Sequence, residues 1–247
     1  MKKILNLSII VCFIVGLYSC TKYTTAASTL TDNNTPITVV TVAPSIKFFN
    51  VMDYGSTNVY LNSKQVTSVA KFYASTYIAA KEGANNIQIA FANKNILLNV
   101  NPVLANNTKY SCFFYKVGND WKYSIMKDDL PTTLTTGFAA LRVLDFRTEA
   151  YFNYINVRLI SPGFDIIDQK NRNFLDHNTY DSYTKFSTVG AGSYGIYMYN
   201  DTITSSYRKN VNIESKGIYS VLLTTPTNIT PYTDAIFYIF PDVVKHN

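Results

Sequence analysis

The chain carries two histidines, three cysteines and 16 acidic residues among its 247 positions, so its candidate chemistry is short. His177 is flanked by Asp176 and lies near Asp181. A catalytic triad needs one nucleophile held against such a histidine, and the many serines and threonines single out none; His177 reads as a loop histidine. Gly190-Ala191-Gly192-Ser193-Tyr194-Gly195 spells G-x-G-x-x-G. A dinucleotide site requires that loop to open a helix whose first amides meet the pyrophosphate, but Ile196-Tyr197-Met198-Tyr199 follows and reads as a strand. Asp165, Asp168, Asn171, Asn173 and Asp176 concentrate the oxygen ligands that calcium takes. They lack the glycine and terminal glutamate of an EF-hand, and Lys170 and Arg172 oppose a cation. Glutamate occurs only at Glu82, Glu149 and Glu214, so the paired carboxylates of glycoside hydrolysis are nowhere evident. The expectation is a protein with no catalytic residue, no metal and no cofactor.

The cysteines divide by position. Cys12 sits within an apolar leader, Cys20 at its end, and Cys112 alone in Tyr110-Ser111-Cys112-Phe113-Phe114-Tyr115, where it reads as a small core residue. No internal pair is left after processing, which excludes a disulfide framework. Lys2 and Lys3 followed by the apolar run 4–16 form a signal peptide, shorter than the ~20 apolar residues of a membrane span. Leu17-Tyr18-Ser19-Cys20 resembles the bacterial lipobox, which implies cleavage after residue 19 and lipidation of Cys20. Several acyl chains at ~0.8 kcal/mol per buried methylene give a stable membrane anchor. Thr21 stands where an aspartate would retain the protein in the inner membrane, so the resemblance implies the outer membrane. The absence of acidic residues in Thr21-Lys22-Tyr23-Thr24-Thr25 slightly favours a periplasm-facing position over the cell surface. Residues 20–44 then read as a lipid anchor and flexible tether, a coil spanning roughly 25–30 Å.

What must position any site is a set of strands. Charged residues make up 15% of the chain against a usual ~25%, while Tyr and Phe number 20 and 15, a composition that favours pleated surfaces over solvated helices. Loss of Lys2 and Lys3 lowers the formal charge from +6 to +4. The remaining basic residues form no run, so nucleic-acid binding is not expected. From Ser45 onward short alternating segments are separated by Gly, Asn, Asp and Lys clusters, including a hairpin turn at Val117-Gly118-Asn119-Asp120. The pattern also repeats. Ile46-Lys47-Phe48 corresponds to Leu141-Arg142-Val143 at an offset of 95, and Asn58-Val59-Tyr60-Leu61 to Asn156-Val157-Arg158-Leu159 at 98. Gly83, Ile87 and Ile89 correspond to Gly192, Ile196 and Met198, and Tyr110-Ser111 to Tyr219-Ser220, at 109. The growth places an insertion of about 11 residues inside 161–180, read as a loop. The expected fold is all-β: two tandem immunoglobulin-like antiparallel β-sandwich modules at residues 45–130 and 131–247, joined by the polar segment Asp128-Asp129-Leu130-Pro131-Thr132-Thr133. Each copy should have its own core, so the first is expected to fold without the second.

Thr57-Asn58-Val59-Tyr60-Leu61-Asn62, Tyr77-Ile78 and Ala80-Lys81-Glu82-Gly83-Ala84-Asn85-Asn86-Ile87-Gln88-Ile89 resemble the domain of unknown function 4397 family. Leu141-Arg142-Val143 and Ala191-Gly192-Ser193-Tyr194-Gly195-Ile196 match it in the second copy, and Asn62-Ser63 departs from its usual N-G. The resemblance implies tandem β-sandwiches in an envelope lipoprotein of the Bacteroidota type. It supplies no catalytic residues. The expected function is non-catalytic binding of a glycan or protein partner through sandwich loops; the alternative is a structural or assembly subunit of a surface or fimbria-like complex. Candidate contacts are Asp165, Asp168, Asn171 and Asn173 of the inserted stretch and the tyrosines Tyr194 and Tyr197, since exposed aromatics offer flat amphipathic surface. Tyr151-Phe152-Asn153-Tyr154 is a second dense aromatic stretch. Asp201-Thr202-Ile203 resembles a short O-glycosylation motif, with Thr202 as acceptor.

Overall fold

Runs of aromatic and β-branched residues, interrupted every few positions by Asn, Asp, Gly or Ser, dictate strands and tight turns. The computed structural model of the chain is all-β, with two short 3-10 turns. It describes residues 41–52, 55–93, 95–147, 154–161, 164–200, 203–224 and 240–246, with backbone alone at 164, 165, 200, 203–208 and 240–244. The leader, Cys20, the tether up to residue 40, Tyr151-Phe152-Asn153 and Thr202 lie outside the described residues. Among the described residues no helix is long and apolar enough to cross a membrane.

The first half of the chain forms β1 (Ser45–Asn50), β2 (Thr57–Leu61), β3 (Lys64–Val69), β4 (Ile78–Ala79), β5 (Gly83–Ala84), β6 (Ile87–Phe91), β7 (Ile96–Val100), β8 (Val103–Leu104), β9 (Lys109–Val117) and β10 (Asp120–Lys127). The second forms β11 (Phe138–Asp145), β12 (Ile155–Ser161), β13 (Phe164–Arg172), β14 (Ser187–Gly190), β15 (Gly192–Asn200), β16 (Ile203–Ile213), β17 (Ile218–Thr224) and β18 (Phe240–Lys245). Sheets run β10-β9-β1-β4 and β3-β2-β6-β7 in the first half, with β5 paired to β8, and β14-β11-β17-β18 and β13-β12-β15-β16 in the second. Pairing is antiparallel except for β1 with β9 and β11 with β17, which are parallel.

Those four strands are buried on both faces, as parallel pairs usually are. In β1, Ile46 and Phe48 join a core with Val59, Leu61, Ile87, Ile89, Cys112 and Phe114. In β11, Leu141 and Val143 join a second core with Val157, Leu159, Ile196, Met198, Val221 and Leu223. The alternate residues of the same strands build a third core, in which Phe49, Phe113 and Tyr115 of the first half meet Leu144, Phe146 and Leu222 of the second. Phe113 stacks on Phe49 at 4.4 Å between ring centres and on Phe146 at 5.1 Å. Residues 41–247 consequently form one compact unit. The connecting segment is tied into it, because Asp128 is buried rather than solvated.

The sequence repeat reappears as hydrogen-bond register. Ile46 pairs with Tyr110 as Leu141 pairs with Tyr219, and Leu61 pairs with Ile87 as Leu159 pairs with Ile196. Gly83 opposite Leu104 matches Gly192 opposite Ile213, and both glycines have positive φ, at 84° and 153°. The turns also follow from the residues. Asn62 and Ser63 both have positive φ (52° and 68°), the pair a two-residue hairpin of the primed kind needs. In the β9–β10 hairpin only Gly118 does, at 58°.

The inserted stretch departs from its expected loop form. Thr57 pairs with Val69 as Ile155 pairs with Arg172, so the offset is already 103 at Arg172; it reaches 109 where Leu141 pairs with Ser187 as Ile46 pairs with Ile78. About five of the extra residues lengthen the β12–β13 hairpin, and six fall between Arg172 and Ser187, where the 3-10 turns Asp176–Asn178 and Asp181–Thr184 lie. Residues 164–172 are strand because Ile167 has core to cover and Arg172 an ion pair to make.

Candidate functional site

A groove of about 810 Å³ lies between the segment after β3 and the β16–β18 region, within the roughly 300–1,000 Å³ typical of ligand sites. One wall is Lys71-Phe72-Tyr73-Ala74. The other is Lys209, Val211, Asn212 and Glu214, with Tyr219 and Lys245. The first wall is stitched to β1: Phe72 N donates to Asn50 O at 2.9 Å, Asn50 N to Tyr73 O at 3.0 Å and Ser75 N to Phe48 O at 2.9 Å. These bonds hold Phe72 at φ 59°, a conformation that costs an aromatic residue of order 1–2 kcal/mol and is found where surrounding structure imposes it. Tyr73 projects from this turn with 68% of its surface exposed.

The second wall is equally constrained. Glu214 N donates to the Tyr219 hydroxyl at 3.1 Å. A Cβ on Gly217 would sit 2.4 Å from the Tyr219 ring, so only glycine lets the chain pass under that ring. Lys245 donates to Glu214 Oε2 at 2.5 Å, and this bond holds the lysine pKa above its usual value. Lys71, Lys209 and Lys245 thus stand beside aromatic surface in the described lining, with Lys245 paired to Glu214.

Behind the groove lies a buried polar network that joins the two halves. Lys47 donates to Lys245 O at 2.8 Å. Arg142 donates to Asp128 Oδ1 at 2.8 Å, Ser220 Oγ at 2.9 Å and Thr184 O at 3.2 Å, and lies 4.4 Å from the Phe186 ring centre. Asp128 also accepts from Ser111 Oγ at 2.7 Å and from the Tyr77 hydroxyl at 2.7 Å. Ser220 Oγ is 2.8 Å from His246 Nε2, and Tyr77 OH is 3.3 Å from His246 Nδ1. Burial pushes Lys47 down to about 8 despite Asp128, and pushes Tyr77 up, helped by the Asp128 charge. Burial, then the Arg142 and Lys47 charges, holds His246 well below its ordinary range, so it is neutral at pH 7. The parts resemble a nucleophile–base pair, but Ser220 is fully buried, and the arrangement serves to satisfy charge between two sheets.

Of the residues expected to bind, Asp168 and Tyr197 stand on either side of Arg158 in one row of the β13-β12-β15 sheet. Asp165, Asp168 and Asn171 fall on β13, with Asp165 opposite Ile160 and Asp168 opposite Arg158. Asn171 uses its backbone N–H on Asn156 Oδ1 at 2.9 Å, and Asn173 N donates to Asp176 Oδ2 at 3.0 Å. Asp176 itself accepts from Arg172 Nε at 2.6 Å, so a guanidinium stands where a metal ion was weighed. Among the described residues no group of three His, Cys, Asp or Glu side chains is placed to hold a metal. Tyr194 is 5% exposed, sits in the second core and donates to Gly190 O at 2.6 Å; packing claims it. Tyr197 is half-buried on β15 opposite Arg158. His177 lies in the 3-10 turn between β13 and β14, outside any strand, and is buried at 3% exposure. It packs 4.6 Å from the Phe146 ring centre, neither ring nitrogen has a hydrogen-bond partner among the described residues, and burial lowers its pKa to about 4. Cys112 is buried with its thiol pushed up to about 12, which leaves no nucleophilic thiolate at neutral pH. The glycine motif joins β14 to β15 with no helix.

Sequence reasoning missed both the groove and the network. Lys47-Phe48 and Arg142-Val143 did carry a signal, a matched basic residue inside two apolar strands, each facing a serine at Ser111 and Ser220. The Lys71-Phe72-Tyr73 turn carried none beyond its composition. No protein-family model matches this chain, and no curated protein matches it.

Proposed function

We propose that this chain is a non-catalytic, lipid-anchored envelope protein that binds a glycan or protein partner in the groove between the Lys71–Ala74 turn and β16. The groove carries the reading: an exposed tyrosine and a conformationally fixed phenylalanine beside several lysines, built on hydrogen-bonded walls. Aromatic faces with a wet polar tip are what ligand and partner surfaces use. The matched registers of the two halves support tandem immunoglobulin-like modules and agree with the resemblance to the domain of unknown function 4397 family. The lipobox resemblance supports attachment through Cys20 to the outer membrane, with palmitate label expected on the wild type and lost in Cys20→Ala; label persisting on the variant ends the lipoprotein reading.

The test of binding uses the full-length chain in mild detergent against an array of immobilised glycans and envelope proteins. Wild type should be retained by at least one probe, and Tyr73→Ala should lose that retention while its melting temperature moves by less than about 2 °C, as for other surface substitutions. Equal retention of Tyr73→Ala takes the site away from the groove, and retention by no probe returns the spacer-subunit alternative to first place.

A further inference from the structure

The first half of the chain carries a second surface, made of residues that do not line the groove. We propose that the outer face of the β3-β2-β6-β7 sheet binds a neutral polysaccharide, a chain of uncharged, hydroxyl-rich sugar rings, and that it does so independently of the groove.

The pleat fixes which residues face outward. Val59, Leu61, Ile87 and Ile89 point into the first core, so Tyr60 of β2 and Gln88 of β6, which lie between them, point away from it. The register carries the same row across the sheet: Tyr60 pairs with Gln65 of β3 and with Gln88, and Gln88 pairs with Asn99 of β7. The row Gln65-Tyr60-Gln88-Asn99 therefore crosses all four strands, three spacings or about 14 Å in all, the reach of a short oligosaccharide rather than of one sugar. Gln65 and Asn99 are exposed, and the two central residues are half-buried. Neighbouring bonds orient the amides. Asn99 Oδ1 accepts from Asn86 Nδ2 at 2.7 Å, and Asn58 Oδ1 accepts from Gln65 Nε2 at 3.3 Å. With those oxygens engaged along the sheet, the N–H donors of Asn58 and Asn99 are what a ligand meets. A carboxamide both donates and accepts, as a sugar hydroxyl does, so the bonds lost to displaced water are remade in kind. A charged chain would bring its charge against four uncharged side chains, with its desolvation uncompensated. The Tyr60 ring adds flat surface for the C–H face of a pyranose. The second half shows that the sheet does not require this row. It keeps the core side, with Val157, Leu159, Ile196 and Met198 at the matching places, but its outer row reads Asp168, Arg158 and Tyr197. One register carries charge in one copy and amides in the other.

The probes are hydroxyethyl cellulose, dextran and mannan, with polygalacturonate as the anionic comparison, each measured by calorimetry on the full-length chain in mild detergent. At least one neutral polysaccharide should bind, and raising salt from about 50 to 300 mM should leave that binding unchanged, because no charge is involved. Gln88→Ala with Asn99→Ala should weaken it about tenfold, and Tyr60→Ala about fivefold. Asn99→Asp keeps the side chain's shape and the bond from Asn86 but loses the amide donors, and should weaken binding roughly threefold with the urea midpoint unmoved. Lys122→Gln, on β10 outside this sheet, should change nothing. Binding that survives Gln88→Ala/Asn99→Ala but is lost in Tyr73→Ala moves the ligand to the groove and overturns the second site while the groove reading stands. Binding of polygalacturonate alone overturns the neutral assignment. Self-association without any polysaccharide, lost in the same double variant, overturns the inference in favour of a second copy of the chain. No binding of any of the neutral polysaccharides overturns it outright, whatever the groove takes.

Discussion

The buried charge pair between the halves gives the sharpest prediction. Asp128 is reached by Arg142 at 2.8 Å and by Ser111 and Tyr77 at 2.7 Å each, with both charged side chains fully removed from water. Asp128→Ala therefore leaves a guanidinium in the interior with its counter-ion gone, a change that costs about 3–5 kcal/mol elsewhere. Arg142 keeps Ser220 Oγ, the Thr184 carbonyl and the Phe186 ring, so the lower end applies, about 3 kcal/mol. Burial already pulls the Arg142 pKa down and the Asp128 charge is what opposes that pull. Arg142→Met should cost a similar amount by stranding Asp128. The double variant Asp128→Ala/Arg142→Met should cost clearly less than the sum, with a coupling of about 2 kcal/mol, as contacting buried partners show. The assay is urea unfolding of all four proteins followed by tyrosine and tryptophan fluorescence, with stability taken from the midpoint at a common slope. A single-variant loss below about 1 kcal/mol, or strict additivity in the double variant, would refute the claim that this pair carries the junction.

Two further outcomes follow from the same interior. His177 and His246 are held neutral in the folded protein below the ordinary histidine pKa of 6.5, His177 down to about 4. The unfolded chain binds their protons first as pH falls, so their contribution is complete above about 6.5 and lost on acidification, on the order of 3 kcal/mol for His177 by pH 4. Urea midpoints between pH 7.5 and 4.5 should fall more steeply for wild type than for His177→Phe, whose ring needs no hydrogen bond beside Phe146; parallel curves would contradict this. Residues 41–130 expressed alone keep their own core but uncover Phe49 and Phe113, roughly 2 kcal/mol each. The fragment should be less stable by at least about 4 kcal/mol and bind a hydrophobic dye, whereas a monomeric fragment as stable as the whole chain would show that the third core is dispensable.

That third core marks where sequence reading reached and where it stopped. The strands, the repeat and its register were legible because alternation on a pleated surface records one buried face directly: Ile46 with Phe48, and Leu141 with Val143, point into the cores their spacing predicts. The opposite face of the same strands carries Lys47, Phe49, Arg142 and Leu144. In a sequence, a basic residue between apolar ones looks like a solvent-facing position, and only the partner groups reveal that it is buried. Those partners come from far along the chain, Asp128 for Arg142 and the Lys245 carbonyl for Lys47, so no local window contains the evidence. The same logic hid Asp128, whose neighbours Asp129, Leu130 and Pro131 have linker composition. It also explains the inserted stretch, where Arg172 reads as a charge opposing a metal and instead neutralises Asp176 inside the fold. The groove was invisible for a related reason. Its walls are 138 positions apart at Lys71 and Lys209, and the two halves that carry them share the third core through residues that periodicity assigns to the surface. What places the candidate site is therefore the second face of each central strand, the face that a one-sided amphipathic pattern leaves unread.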